Sequence, residues 1–426
     1  MFLDYSTKKI NGINCMFVPF NTKLFNVSII FSKGSYDESK KEKGIHHFIE
    51  HLLATELRES EKMNSLINNN FFINCNAFTS MFNTCFYLNC LHENQIECVN
   101  LLLKTLNQKN DFSKYFDREK KSILIEMSKK MTDVNDKIHI AILKLIFDNK
   151  NLYRDPIDHI NNLENLNINT IHNYIQKHFN LRNGIIIFSG KLNVNKIVET
   201  IKKLKITNSL TMNYNREVNL NVKNKKFKFK NIIDKNSKLV NLNITFRTFE
   251  TENKKKYVVK FISTLLSDID SNSFLFKNLR IKLGITYSPH CELNINKYYG
   301  LLSISINIQE KFLKLAIDEI INIIKTLKTK KTDKKIINLV KSKLKYDIQK
   351  KIDIYEPSDA IHYGINYINK TEIQNDPKRL YAFYNSVTPA DIIKISNEIF
   401  QTDNCVLVCS FNKNIDKRFF NNLKNL

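Results

Sequence analysis

GIHHFIEHLL, residues 44–53, holds three of the ten histidines in a 426-residue chain, with a glutamate between two of them. The segment is expected to be helical from about Ile45 to Asn64. On a helix, His47 and His51 lie four apart, so both imidazoles project from one face. Two nitrogens need that separation to share one tetrahedral zinc at about 2.0–2.1 Å. Glu50 falls three residues after His47 and next to His51, which puts its carboxylate beside such a metal instead of on it. A general base for an attacking water belongs there. His46 points elsewhere on the helix and is not expected to bind metal. The same residues also read as a polar helix face whose histidines are merely solvated.

Outward from this stretch, the length exceeds what one hydrophobic core spans, so two or more domains are expected. With 42% hydrophobic and 11% aromatic residues the chain reads as globular. No run approaches the roughly 18 uninterrupted apolar residues of a membrane span. The opening residues, MFLDYSTKKINGINCMFVPF, lack the apolar core of a secretory signal and carry Asp4 with no arginine, unlike a mitochondrial presequence. A cytoplasmic location is expected, with mitochondrial import left open. The eight cysteines form no CxxC pair and are expected to be free thiols.

The 66 Lys+Arg against 42 Asp+Glu give +24, which invites a nucleic-acid partner. Up to residue 210 the counts are 28 and 21, or +7; beyond it they are 38 and 21, or +17. The excess lies mainly away from the histidines. An abundance of Lys, Asn and Ile matches the bias of an AT-rich genome, and no nucleic-acid-binding motif is present. The densest basic run, KNKKFKFK (223–230), fits a half-exposed edge strand guarded by lysines.

The order of elements repeats. The first half reads as a strand hairpin over 10–34, the helix from Ile45, and strands INCNAFTSMF (73–82) and TCFYLNCL (84–91). Helices near 93–107, 113–149 and 167–179 then lead to a strand at 184–189. The second half reads as a strand at 239–249, a helix at 253–268, and strands near 286–295 and 299–308. Helices at 310–328, 331–353 and 389–400 then lead to a strand at 405–410. NTIHNYIQKHF (169–179) before NGIIIFSG parallels PADIIKISNEIF (389–400) before NCVLVCSF, with Phe179/Phe400, Asn183/Asn404 and Ser189/Ser410 at one offset. A repeat of this period means duplicated domains. The expected fold class is α+β, with two duplicated domains (1–208 and 219–426), each a mainly antiparallel sheet packed with helices. The linker is expected at about 206–221.

A catalytic zinc usually takes three protein ligands and leaves one position open. The residues alone do not name the third. Here the chain resembles the M16 (pitrilysin-like, inverzincin) metallopeptidases, which include the mitochondrial processing peptidases. Their H-x-x-E-H helix is followed some 70–80 residues later by a segment like E-x-x-x-x-x-x-E, and REKKSILIEM (118–127) stands at that place. The resemblance implies that Glu126 is the third ligand and that Glu119 orients a ligand histidine. KGSYDESKKEKGIHHFIEHLL (33–53) is similar to the family's G-S-x-x-E approach to the site. NCNAFTSMFNTCFYL (74–88) is similar to its N-A-x-T strand, an edge to which substrate adds as a further strand. That implies substrate-binding roles for Asn76, Ala77 and Thr79, although an ordinary half-buried strand has the same composition.

LRIKLGITYS (279–288) resembles the family's L-R-x-x-L-G-x-x-Y-S, implying that Arg280 and Tyr287 reach the scissile carbonyl as oxyanion donors. The same residues also read as a helix end capped at Gly284 with Tyr287 packed in a strand. SDIDSNS (267–273) departs from the glycine-rich turn the family often has nearby, which puts a flexible substrate-handling loop in doubt. The second half has no H-x-x-E-H, so one zinc per chain is implied.

By resemblance the expected activity is zinc-dependent hydrolysis of peptides or unfolded polypeptide segments in an enclosed chamber. Glu50, Arg280 and Tyr287 would be catalytic, and the chamber would be completed by a second, identical or related chain. An inactive scaffold or partner subunit is the first alternative, and a basic nucleic-acid-binding protein the second.

Overall fold

The structure, a computed structural model, describes residues 4–206, 218, 220, 222, 227–371 and 377–426. β-branched and aromatic runs form β1 (Ser6–Ile10), β2 (Ile13–Pro19), β3 (Leu24–Phe31), β4 (Ile73–Thr79), β5 (Thr84–Leu91) and β6 (Gly184–Gly190). They make one sheet in the order β1-β2-β6-β3-β5-β4. Every pairing in it is antiparallel except β2 with β6. The helices interleaved with these strands are α1 (Ile45–Glu59), α2 (Glu61–Asn68), α3 (Gln95–Asn107), α4 (Phe116–Thr132), α5 (Val134–Ile146), α6 (Pro156–Leu163), α7 (Ile168–His178) and α8 (Val194–Lys203).

The second sheet holds β7 (Lys228–Ile233), β8 (Val240–Thr248), β9 (His290–Ile295), β10 (Gly300–Ile308) and β11 (Cys405–Phe411) in the order β7-β11-β8-β10-β9. Here too the pairings are antiparallel except one, β7 with β11. The helices in this half of the sequence are α9 (Lys256–Ser267), α10 (Leu313–Thr329), α11 (Lys334–Asp353), α12 (Ile361–Asn369), α13 (Pro377–Ser386) and α14 (Pro389–Ile399). Replacing β7, β11, β8, β10 and β9 by β2, β6, β3, β5 and β4 reproduces the first sheet's order, including its one parallel pair. The fold is α+β and internally duplicated, as expected.

Four local expectations are corrected. The strands within 10–34 exist, but β2 and β3 do not form a hairpin, because β6 lies between them. The hairpin joins β1 to β2 through Asn11 and Gly12, whose φ values of 52° and 80° make the two-residue turn that suits twisted strands. The helix expected over 45–64 stops at Glu59; Ser60 is extended and its hydroxyl accepts from Met63 N, restarting the chain as α2. The helix expected over 113–149 breaks at Asp133, which is extended and caps α5 by accepting from Asn135 N and Asp136 N. The strand expected from 286 begins at His290, so Tyr287 is outside it.

The chain resolves into two compact units that are not its two contiguous halves. One comprises Met1–Met131, Asn151–Glu217 and Ile354–Ile373; the other Thr132–Lys150, Val218–Asp353 and Gln374–Leu426. The reason lies in the sheets. In the first, Phe17, Phe31, Phe86 and Phe188 face α1 and α3, while the alternate residues Met16, Val18, Ile30 and Ile187 face the opposite way. That second face is covered by Ala360, Ile361 and Tyr363, at the start of α12. In the second unit α5 packs on β7 and β11. Each sheet therefore takes a covering helix from the other half of the sequence.

The expected linker lies outside the described residues except at 206, 218 and 220, as do residues 223–226 of the basic run. Lys228 and Lys230 begin β7, an edge strand. All eight cysteines are free. Among the described residues no helix is long and apolar enough to cross a membrane.

Candidate metal centre

α1 begins without a Ser, Thr, Asp or Asn before it. Gly44 holds φ +93°, and the orphan N–H groups of the first turn are served by Glu38. Glu38 Oε2 accepts from Gly44 N at 2.9 Å and Oε1 from His46 N at 3.1 Å. His46 Nδ1 lies 3.2 Å from Glu38 Oε1, and its Nε2 3.4 Å from the Tyr174 hydroxyl. His46 is thus a fully buried packing residue that faces away from the other two histidines. Burial alone would raise the Glu38 pKa, but the hydrogen bonds from His46 and from the two backbone N–H groups outweigh it, and the carboxyl stays below its ordinary range.

The apolar side of α1, including Ile45, Phe48, Ile49 and Leu52, is fully buried. Each such side chain stabilises by about 1.5–3 kcal/mol. Phe48 meets Phe116 edge to face at 5.0 Å, which fixes α4 against α1. α4 buries Phe116, Glu119, Ile123 and Met127 at helical spacing, leaving Glu126 at the histidines. His47 Nε2 is 3.4 Å and His51 Nε2 3.5 Å from the same oxygen, Glu126 Oε2.

One nitrogen from each histidine and one oxygen of Glu126 all lie within 4.8 Å of one another, a group that can hold a metal ion. Ligands about 2.0–2.1 Å from a tetrahedral zinc stand about 3.3–3.5 Å apart, so the two measured contacts match edges of that tetrahedron. Two imidazoles and a carboxylate are also a donor set that suits zinc. The group fits the ion.

Charge and hydrogen bonding reinforce the arrangement. His51 Nδ1 lies 3.2 Å from Glu119 Oε2, which turns Nε2 towards Glu126. Arg118 Nε in turn donates to Glu119 Oε1 at 3.3 Å. Burial would lower the His51 pKa, but Glu126, Glu50 and Glu119 together raise it. Burial holds His47 well below its usual value. The hydrogen bond from His51 holds Glu126 well below the carboxylate range, helped by His47 and by Lys130, whose Nζ is 2.8 Å from Oε1.

Glu50 lies beside this group, and burial raises its pKa. The Thr79 hydroxyl donates to His46 O at 3.4 Å and is also within hydrogen-bonding reach of the Glu50 carboxyl. The Arg154 guanidinium donates to Thr79 O and to Ser80 O (3.1 Å for the latter), clamping the end of β4. His159 stands edge to face with His47, ring centroids 5.3 Å apart, and burial lowers its pKa to about 4. A Cβ on Gly44 would lie 1.9 Å from His159 Cδ2, so both the left-handed φ and the ring demand glycine there. Arg154 and His159 were not selected from the sequence, and nothing in their local spacing marks them. Glu38 had a signal, the G-S-x-x-E stretch, but no role until its contacts were seen.

β4 is an edge strand of its sheet, with Asn76 exposed and Ala77 half-buried. Asn76 Oδ1 accepts from Ala77 N at 2.9 Å. In the second unit, Arg280 lies in a π-helical turn, Phe276–Lys282, with its guanidinium 4.2 Å from the Tyr287 ring centroid and 4.6 Å from that of Phe276. Gly284, at φ +62°, ends the turn, and Ile285 N donates back to Leu279 O. Tyr287 is 78% exposed, which corrects the alternative of a tyrosine packed in a strand.

Two family models match in succession. Residues 20–155 match the insulinase (peptidase family M16) model, and residues 165–344 match the peptidase M16 inactive domain. The first span contains His47, Glu50, His51, Glu119 and Glu126. The chain belongs to peptidase family M16. An uncharacterized zinc protease of Rickettsia felis is 21% identical over 385 residues, 88% of this chain and 90% of that one. The mitochondrial-processing peptidase subunit beta of Dictyostelium discoideum is 22% identical over 282 residues. That match covers 64% of this chain and 59% of the Dictyostelium protein, less than two thirds of the latter's length. A protease from Helicobacter pylori has the same fold, with a TM-score of 0.80 at 16% identity over 96% of this chain and 100% of that one. Within the M16 frame, the candidate metal-binding group belongs to the insulinase span, whereas Arg280 and Tyr287 belong to the span of the domain named for its inactivity.

Proposed function

We propose that this M16 chain is a zinc metalloendopeptidase that hydrolyses peptides or unfolded polypeptide segments. The observation that carries the proposal is the convergence of His47, His51 and Glu126 on one point with Glu50 beside them. A bound zinc would supply Lewis acidity, polarising a peptide carbonyl and making water acidic enough to attack near neutral pH. His47, His51 and Glu126 would hold it, and Glu119 would keep His51 turned with Nε2 forward. Glu50 takes the proton from the attacking water and returns it to the departing amine. The β4 edge, through Asn76, Ala77 and Thr79, grips an extended substrate by backbone hydrogen bonds that tolerate many sequences. Arg280 and Tyr287 donate to the oxygen on which charge develops.

The resemblance to the family implies a partner, a second copy of this chain or a related one, that completes the site. The Dictyostelium relative's name, a beta subunit, supports that pairing. The presence of all four of His47, Glu50, His51 and Glu126 favours an enzyme over a scaffold. Treating the purified chain with a strong chelator should abolish cleavage of a quenched fluorescent peptide, and stoichiometric zinc should restore it. Cleavage that survives complete metal removal would contradict the proposal.

A further inference from the structure

Two buried ring nitrogens beside the candidate metal site have no hydrogen-bond partner among the described residues: His47 Nδ1 and His159 Nε2. His159 is only 4% exposed. With His47 Nε2 turned to Glu126, the ring proton of a metal-binding His47 belongs on Nδ1. A ligating imidazole normally donates that proton to an acceptor, which fixes its tautomer and its aim. His51 has Glu119 for this purpose. His47 Nδ1 has no such carboxylate within hydrogen-bonding distance among the described residues; nearby Glu38 is turned instead to Gly44 N and His46 N.

What lies beside His47 instead is a cavity of about 20 Å³, lined by His47 and His159 together with Glu38, Gly44 and Arg154. A cavity of at least about 10–15 Å³ on that scale accommodates one water, provided polar partners surround it. The start of α1 is shaped around the second ring, since any side chain at Gly44 would collide with His159.

We propose that His159 is the positioning residue of His47, acting through a single water that accepts from His47 Nδ1–H and donates to His159 Nε2. The two metal-binding histidines are then oriented by unlike means, one by a carboxylate and the other by water and a third imidazole. His159 touches neither substrate nor metal; it sets the direction in which His47 points. This rests on the zinc assignment made above.

The test is zinc affinity of the full chain, measured by competition with a chromophoric chelator, for wild type, His159→Leu and His159→Gln. Melting curves of the metal-free proteins are recorded alongside. Loss of an orienting partner typically costs about 10–100-fold in metal affinity, so His159→Leu should bind zinc that much more weakly. His159→Gln, which returns a polar group near the position of Nε2, should recover most of the loss. Wild-type affinity in His159→Leu would overturn the inference, and so would equal loss in both variants. A wild-type chain that takes up no zinc would instead sink the metal assignment, and this inference with it.

Discussion

Glu38 does at the head of α1 what a serine or aspartate usually does, and it ties the same turn to His46. Its folded pKa lies below the ordinary value of 4.5. The native state therefore binds fewer protons than the unfolded chain in acid. The stability Glu38 contributes is complete above about pH 4.5 and is lost as pH falls through its folded value. Glu38→Gln removes the charge and should cost about 1–3 kcal/mol at pH 7, with a flatter decline in melting temperature below pH 4.5 than in wild type. Identical melting curves for the two proteins across pH 3–7 would contradict this. His47, Glu50 and His51 were legible in the sequence because local helix geometry alone brings them together. Glu119 and Glu126 were legible only through the resemblance of REKKSILIEM (118–127) to the family's paired-glutamate segment, since no local rule sets them apart from the chain's other helical glutamates. Arg154 and His159 reach the site only through tertiary contact.

Between residue and molecule stand the exchanged helices. The runs that form most strands and helices were readable from apolar patterning, yet the break at Asp133 was not, because extended backbone at one capping residue leaves the pattern on either side intact. That break matters, since α4 stays with the first sheet and α5 joins β7 and β11 of the second. Likewise α12 covers the first sheet, where a Cβ on Gly364 would come within 2.5 Å of Ile187. Pairing partners were also illegible: β6 enters between β2 and β3 from more than 150 residues away, and nothing local announces it. Fragments cut at the expected boundary, 1–208 and 219–426, each lack the helix that covers one face of their sheet. Expressed separately, they should melt without cooperativity or aggregate; expressed together, they should associate and recover a cooperative transition. Two independently stable fragments would contradict the exchange.

Over the whole molecule, the duplication was legible from one pair of segments, and the shared strand order of the two sheets extends it to the full chain. The net charge of +24 lies mainly in the second half, +17 against +7, while the candidate metal-binding group lies in the first. Part of that excess lies on a sheet edge, at Lys228 and Lys230 of β7. On the proposed function, one half of the duplicated molecule would hold a zinc with a proton acceptor beside it. Metal content and peptide turnover, measured together on wild type and Glu50→Gln, test it most directly. An amide cannot accept the proton, so the variant should retain one zinc per chain while turnover falls by about 10²–10⁴-fold. Near-normal turnover in Glu50→Gln, or a wild-type chain without zinc, would rule out that role for the site.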